Sequence, residues 1–263
     1  MRLFLAPNGF TDIQVTQATR CFRVLADLGH DCAVSLENSL AFFSNDSGAR
    51  FAPEECDLIV SLGGDGSVLR AARTAVALNK PLLGINSGRL GYLCALDFSE
   101  IDRFNARLEG CVLSRRSLAS FAIEGETRYA LNDVIVGKPS FGETVDLDVA
   151  IQGMEPFRLR GDGLIIATPT GSTAYNLSAG GATVEPTVPC ILLTPVCPHG
   201  SKLHPMVLDE RRQIAVSVRN GVAGLYADGR NEGALMDRLT VRVSQKRLSL
   251  YLRGETTGME HRP

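Results

Sequence analysis

With 263 residues the chain is long enough for one large domain or two modest ones, with a sizeable core. Its 44% hydrophobic and 21% charged residues are ordinary for a globular protein, and a formal net charge of −2 without a dense Lys/Arg run excludes a general pull toward nucleic acid or anionic membrane. Seven cysteines (Cys21, Cys32, Cys56, Cys94, Cys111, Cys190, Cys197) are scattered without a C-x-x-C, which speaks against a disulfide framework or a zinc site and for reduced thiols. The apolar stretch of "MRLFLAPNGF" is too short for a signal peptide, and no run approaches a membrane span. A soluble, cytoplasmic protein is expected.

The elements then follow in chain order. Arg2 to Ala6 is a short apolar run suited to a buried strand. Thr11 to Leu28 places Ile13, Ala18, Cys21, Phe22, Leu25 and Leu28 near helical spacing, and Gly29 stops it. Cys32 to Leu36 and Leu58 to Leu62 read as strands, Ser67 to Leu78 as a helix, and Pro81 to Ile85 as a fourth strand. Ser99 to Leu108 reads as a helix capped by Ser99, with Asp102 three residues on. Strands alternating with helices predict a parallel sheet with helices on its faces. After Gly110 the segments become short and β-rich, separated by glycine or charged turns. Asp146 to Ile151 and Leu239 to Val243 alternate apolar with polar, as half-buried strands do. The fold class is therefore α/β plus β. The boundary is placed near residue 102, giving domains 1–101 and 102–249, with the tail from about 250 to 263 able to return to the first domain.

The loop Gly63-Gly64-Asp65-Gly66 lies between a predicted strand and helix, at the carboxyl end of a parallel strand, where ligands bind in open α/β sheets. Glycines allow close backbone approach, and the amides that open the next helix attract anions. Arg70 and Arg73 lie within reach of phosphates. The pattern is neither the P-loop nor the G-x-G-x-x-G fingerprint. A carboxylate repels phosphate, so Asp65 should face a metal ion or a hydroxyl losing its proton, as a kinase requires of the group that deprotonates its acceptor. The alternative is a tight turn in which Asp65 caps the helix.

Four further stretches stand out. "RLRGDGLIIATPTGSTAYNLSAGG", residues 158–181, joins a glycine turn and a buried strand to a run of small hydroxyl residues, which suits hydrogen bonds to a polar heterocycle with Tyr175 stacking on it. The alternative is a surface loop with one core tyrosine. "ALNDVIVGK" sets Asn132 and Asp133 at the start of an apolar strand, suited to ribose hydroxyls or to an Asx turn. "GINSGRLGYL" offers Arg89 as a phosphate contact and Tyr92 as a wall. Asp228-Gly229 in "LYADGRNEG" reads as a hairpin turn. His199 reads as structural, and no His-Glu-x-x-His or G-x-S-x-G signature supports a hydrolase.

In this order and spacing, "GGDGS", "GINSGRLGYL", "LNDV", "RGDGLIIATPTGSTAYNLSAGG", "LTPVCPH" and the "DG" at 228–229 resemble the NAD kinase family, from the first strand to about residue 250. The resemblance implies an N-terminal Rossmann-like α/β domain followed by a mostly antiparallel, β-sandwich-like domain. It implies phosphorylation of the 2′-hydroxyl of the adenosine ribose of NAD, with ATP or polyphosphate as donor and a divalent metal, Mg2+, as cofactor. Asp65 would be the general base. Gly63, Gly64 and Gly66 would cradle phosphates, and Asp65 and Gly66 would also touch NAD; on the residues' own chemistry, Arg70 or Arg89 adds charge neutralisation there. Asn132 and Asp133 match the family's Asn-Glu pair that holds NAD. Thr173, Ala174, Tyr175, Asn176, Leu177 and Ser178 match the run that contacts adenine and ribose. Arg160 and Asp162 match residues near the nicotinamide end, partly across a subunit interface, so a homodimer or homotetramer is implied, with no nucleic acid or membrane partner. Three departures stand out: Asp133 replaces Glu, Ser67 replaces Thr, and the tail "YLRGETTGMEHRP" is short. The missing methylene at 133 shortens reach by roughly 1.5 Å. The competing readings are a lipid or sugar kinase of the related glycine-aspartate group, and a dinucleotide-binding sensor that has lost catalysis.

Overall fold

The computed structural model describes residues 1–7, 12–34, 51–88, 91–200 and 203–254. These fall into two compact units. One comprises the described residues up to Arg115 and from Leu248 onward; the other runs from Arg116 to Arg247. The division therefore lies at 115/116, thirteen or so residues beyond the position near 102 where composition changes, because the short helix before Gly110 and the first residues of the next strand stay with the first unit.

The first unit is built on parallel strands β1 (Arg2–Pro7), β2 (Asp31–Val34), β3 (Leu58–Leu62), β4 (Leu82–Asn86) and β5 (Leu96–Asp97). Their order is β2-β1-β3-β4-β5, and every pairing is parallel. All five residues of β3 and of β4 are buried, as expected of strands covered on both faces. Helix α1 (Asp12–Asp27) buries Ala18, Cys21 and Leu25 at spacings of three and four, and ends where Gly29 adopts φ +87°. Helix α2 (Asp65–Leu78) buries Val68, Ala71, Ala72, Ala75 and Val76 and ends at Asn79 in the left-handed conformation.

Two local expectations change. Helix α2 begins at Asp65 and not at Ser67, so the glycine loop is shorter than the sequence suggests. Ser99 is not a helix cap. Asp97 is the cap: its carboxylate accepts the Ser99 N–H (2.9 Å) and hydroxyl (2.7 Å), while Glu100 accepts the Asp97 N–H (3.0 Å). A carboxylate outcompetes a hydroxyl as acceptor, and the residues after it form a 3-10 turn over Phe98–Arg103 before helix α3 (Phe104–Glu109).

Two long strands, β6 (Cys111–Ile123) and a C-terminal strand over Arg238–Arg253, carry the chain across the division. The end of the latter adds to the first unit's sheet, with Leu250 and Tyr251 parallel to Leu82 and Leu83.

In the second unit β6 pairs in a hairpin with β7 (Glu126–Ala130). One antiparallel sheet has β8 (Asp133–Gly137) and β11 (Gly163–Ala167) at its centre. They are flanked by β12 (Cys190–Val196), β13 (Met206–Asp209), β15 (Ala223–Ala227) and β16 (Arg230–Leu235), in the order β13-β12-β11-β8-β15-β16. The other joins β9 (Val145–Ile151), β10 (Phe157–Gly161) and β14 (Ile214–Val218) to the first part of the C-terminal strand, β17. β9 alternates buried with half-buried residues at each step, so Leu147, Val149 and Ile151 face a core shared with Val134, Val136, Leu164, Ile166, Ile191 and Leu193 of the first sheet. No helix among the described residues is long and apolar enough to cross a membrane.

Register brings three chain segments to one end of the six-stranded sheet. Ala167, the last residue of β11, stands opposite Asp133, the first of β8, and Ala227, the last of β15, stands opposite Val134. The residues just outside those strands are therefore neighbours: Asn132, Thr168 and Asp228.

Candidate active site

In the first unit the glycine loop leaves β3 with Gly63 at φ +130°, a conformation that side chains resist, and a Cβ there would also strike the Ser67 hydroxyl. The Gly63 N–H donates to the Ile85 carbonyl at 3.0 Å, tying the loop to β4. Gly64 occupies the N-cap position of α2, so Asp65 does not cap its own helix. Its carboxylate crosses instead to a segment 27 and 28 residues later. Oδ2 accepts the Tyr92 N–H at 2.9 Å and Oδ1 accepts the Leu93 N–H at 3.0 Å. Gly91 is required beside them, since a Cβ there would overlap the Asp65 carboxylate. An ionised carboxylate offers about four acceptor positions, so two amides fix Asp65 without exhausting it. The neighbouring Cys94 thiol is pushed up to about 12 by burial and by the Asp65 charge, so it stays protonated, and it contacts the Gly63 carbonyl at 3.5 Å. Gly64 and Gly66 are exposed, with nothing within 4 Å of where a Cβ would stand, which leaves room for a ligand against the backbone. Arg70 is exposed on α2; Arg89 lies outside the described residues.

In the second unit the sheet end assembles a denser cluster. The Asp228 carboxylate accepts three successive amides, those of Leu131 (2.8 Å), Asn132 (2.7 Å) and Asp133 (3.3 Å). Its own N–H donates to the Asp133 carbonyl at 3.0 Å. From the other side, the Thr168 N–H donates to the Asn132 carbonyl (2.8 Å) and the Thr168 hydroxyl to the Leu131 carbonyl (2.5 Å). The Gly171 N–H then donates to the Thr168 hydroxyl at 3.2 Å, and a Cβ on Gly171 would collide with the Asn132 backbone. Asn132 is thus clamped through its main chain, while its half-buried side-chain amide carries no hydrogen bond among the described residues. Asp133 is buried, and its carboxyl is pushed up to about 7 by that burial and by the Asp228 charge.

That shift links Asp133 to stability. Below about pH 4 its carboxyl is protonated folded or unfolded. Between there and about pH 7 the unfolded chain ionises while the folded protein keeps its proton, so stability falls as pH rises, by up to about 4 kcal/mol by pH 8. Asp133→Asn is always neutral and should flatten that slope. Urea unfolding at pH 5 and pH 8 checks this; an unchanged pH difference in the variant contradicts it.

The run predicted to contact a dinucleotide divides by facing. Tyr175, Leu177 and Ser178 are exposed, and Thr173 and Ala174 half-buried, so these five present atoms at the surface. Asn176 does not. It is fully buried, donating to the Ser172 carbonyl (2.9 Å) and the Ala182 carbonyl (3.0 Å) and accepting the Thr194 hydroxyl (2.6 Å). Its side chain is a cross-brace of the loop, and Gly181 is the only residue type that fits over it, because a Cβ there would meet its amide. The one-turn helix Tyr175–Ser178 turns residue 176 inward and its neighbours outward, which no pattern in a polar run reveals.

Arg160 and Asp162 stand apart from this cluster. They flank Gly161, the last residue of β10, and Asp162 immediately precedes β11, whereas Thr168 follows its end, so Asp162 lies about 20 Å along the strand from Thr168. Asp162 is ion-paired with Lys138 at 2.8 Å, and Arg160 is exposed on β10. Sequence reading missed the work of Asp228: a hairpin turn it is, with φ +51° followed by Gly229 at +73°, but one whose carboxylate organises another strand. Among the described residues no group of three His, Cys, Asp or Glu side chains could hold a metal ion.

The profile of the ATP-NAD kinase N-terminal domain matches residues 8–111, and that of the ATP-NAD kinase C-terminal domain matches residues 131–252. A protein named NAD kinase from Symbiobacterium thermophilum is 40% identical over 200 residues, covering 73% of this chain and 71% of that one. The NAD kinase of Solibacter usitatus is 38% identical over 209 residues, covering 76% and 73%. Among solved structures, the NAD kinase of Archaeoglobus fulgidus in complex with ATP superposes with a TM-score of 0.75 at 27% identity over 96% of this chain and 94% of that one. The yeast NADH kinase complexed with NADH shares the fold, with a TM-score of 0.82 at 24% identity over 97% and 84%.

Proposed function

The chain belongs to the NAD kinase family, and from that premise we propose that it transfers a phosphoryl group from ATP or polyphosphate to the 2′-hydroxyl of the adenosine ribose of NAD, with Asp65 as general base. The observation that carries the reading is the Asp65 carboxylate. It is turned away from its own helix, fixed by two backbone amides, and still able to accept. In the transfer the 2′-oxygen bonds to phosphorus as its proton passes to an Asp65 oxygen, and the donor's bridging P–O bond breaks to release the shortened phosphate. Backbone amides of Gly64 and Gly66 steady the donor. A divalent cation fits without a protein cage of its own, since Mg2+ is ordinarily held by phosphates, waters and one or two carboxylates. When bound it supplies charge neutralisation on the phosphates.

Asn132 and Asp133, with Thr173, Ala174, Tyr175 and Ser178, hold the dinucleotide. A second copy of the chain supplies Arg160 and Asp162 near the nicotinamide end, a reading supported by the place of Asp162 at the opposite end of β11 from Thr168, so the working form is a homodimer or homotetramer. Seven free cysteines support a cytoplasmic location.

Incubating the pure protein with ATP, Mg2+ and NAD should yield NADP, and replacing ATP with polyphosphate identifies the donor. Binding of NAD without product would favour a non-catalytic sensor, and neither binding nor product would favour a lipid or sugar kinase.

A further inference from the structure

We infer that Asp228 is a positioning residue: it acts on the dinucleotide through Asn132, by fixing the backbone from which the Asn132 amide is presented. The inference rests on the proposed dinucleotide site. A two-residue hairpin turn with positive φ at both centres asks only for Asn-Gly or Asp-Gly, and either closes it equally well. The carboxylate answers a different need. Three amide donors, those of Leu131, Asn132 and Asp133, converge on its two oxygens. Only an acceptor-only group with several lone pairs satisfies such a set, whereas an asparagine would turn its own N–H2 toward one of the donors.

The arrangement also carries a cost that turn-making does not explain. Asp228 sets its negative charge beside buried Asp133 and holds that carboxyl toward its protonated form. A cost of that kind next to a ligand group is typical of sites organised for binding. The opposite side of Asn132 is fixed too, by the Thr168 N–H on its carbonyl and by the absent Cβ of Gly171. With both its N–H and its C=O engaged, residue 132 has no main-chain freedom, while its side-chain amide has no protein partner among the described residues. A rigid backbone carrying an uncommitted amide is the form expected of a preorganised ligand contact.

The test compares wild type, Asp228→Asn, Asn132→Ala and the double variant by calorimetric titration with NAD and, separately, with ATP. Asp228→Asn should weaken NAD binding by about tenfold, the scale of one lost ligand hydrogen bond, and change ATP binding less than about twofold. The double variant should bind NAD no more weakly than Asn132→Ala alone, because both changes remove one contact. If Asp228 merely stabilised the fold, its substitution would lower the melting temperature and the active fraction while leaving the NAD dissociation constant unchanged; that result, or losses that multiply in the double variant, overturns the inference. Should Asp228→Asn fail to fold, Asp228→Glu keeps the charge but displaces the oxygens, and the same comparison applies. In the wild type, the Leu131, Asn132 and Asp133 amides should be protected from hydrogen exchange without ligand; rapid exchange there also overturns it. If the wild type itself fails to bind NAD, the proposed function fails instead.

Discussion

Asp65→Asn should lower kcat by about 10²- to 10⁴-fold, the usual contribution of a positioned general base, while leaving the fold and NAD affinity nearly unchanged. A ribose hydroxyl is a poor nucleophile until its proton is taken, and the amide has no proton affinity to offer. The substitution is close to isosteric. Its carbonyl oxygen can still accept one of the two loop amides, from Tyr92 or Leu93, although its N–H2 must face the other. Some loosening of the 91–93 segment follows, but no core residue moves. Steady-state rates at saturating NAD and ATP, with NAD binding measured on the same preparation, separate the effects. Normal turnover by the variant would remove Asp65 from the mechanism.

Gly171→Ala should destabilise the second unit by about 3 kcal/mol or more, lowering the melting temperature by roughly 6 °C or more. The added methyl would run into the carbonyl oxygen, carbonyl carbon and Cα of Asn132, all main-chain atoms that cannot rotate aside. Relief requires moving either the 168–172 turn or the start of β8. Either movement loosens the Thr168 bonds to Leu131 and Asn132, so NAD binding should weaken along with stability. Gly64→Ala is the matched control. Its φ of −83° suits any residue and open space surrounds it, so stability should stay within about 0.5 kcal/mol. Thermal unfolding of the pair makes the comparison; equal melting temperatures would contradict the tight approach at residue 171.

The features legible in the sequence are those that local physics dictates. β3 (Leu58–Leu62, apolar but for Ser61) and β11 (with the apolar run Leu164–Ala167) are short runs of the kind a strand covered on both faces uses; β3 forms where the pattern places it and β11 begins one residue earlier, at Gly163. The glycine loop before α2 was legible because glycine at Gly63 answers a backbone requirement that no other residue meets. The hidden features depend on contacts between distant segments. Asp228 looks like a turn residue because the amides it collects lie about a hundred positions earlier, brought near only by the register of β15 on β8. Asn176 reads as a ligand contact because it falls inside the run that resembles the family's adenine and ribose contacts; one turn of helix sends its side chain into the interior. Ser99 looks like a cap because the stronger acceptor, Asp97, sits two residues before it at a strand end.

In the proposed transfer the Asp65 carboxylate receives the proton of the adenosine 2′-hydroxyl. A crystal structure of the wild-type protein with NAD, Mg2+ and a non-transferable ATP analogue tests it most directly. The 2′-oxygen should lie about 3 Å from an Asp65 oxygen, on the side away from the Tyr92 and Leu93 amides. A ternary complex with that oxygen in line with the donor phosphorus, but beyond the reach of Asp65 even through one bridging water, would contradict it.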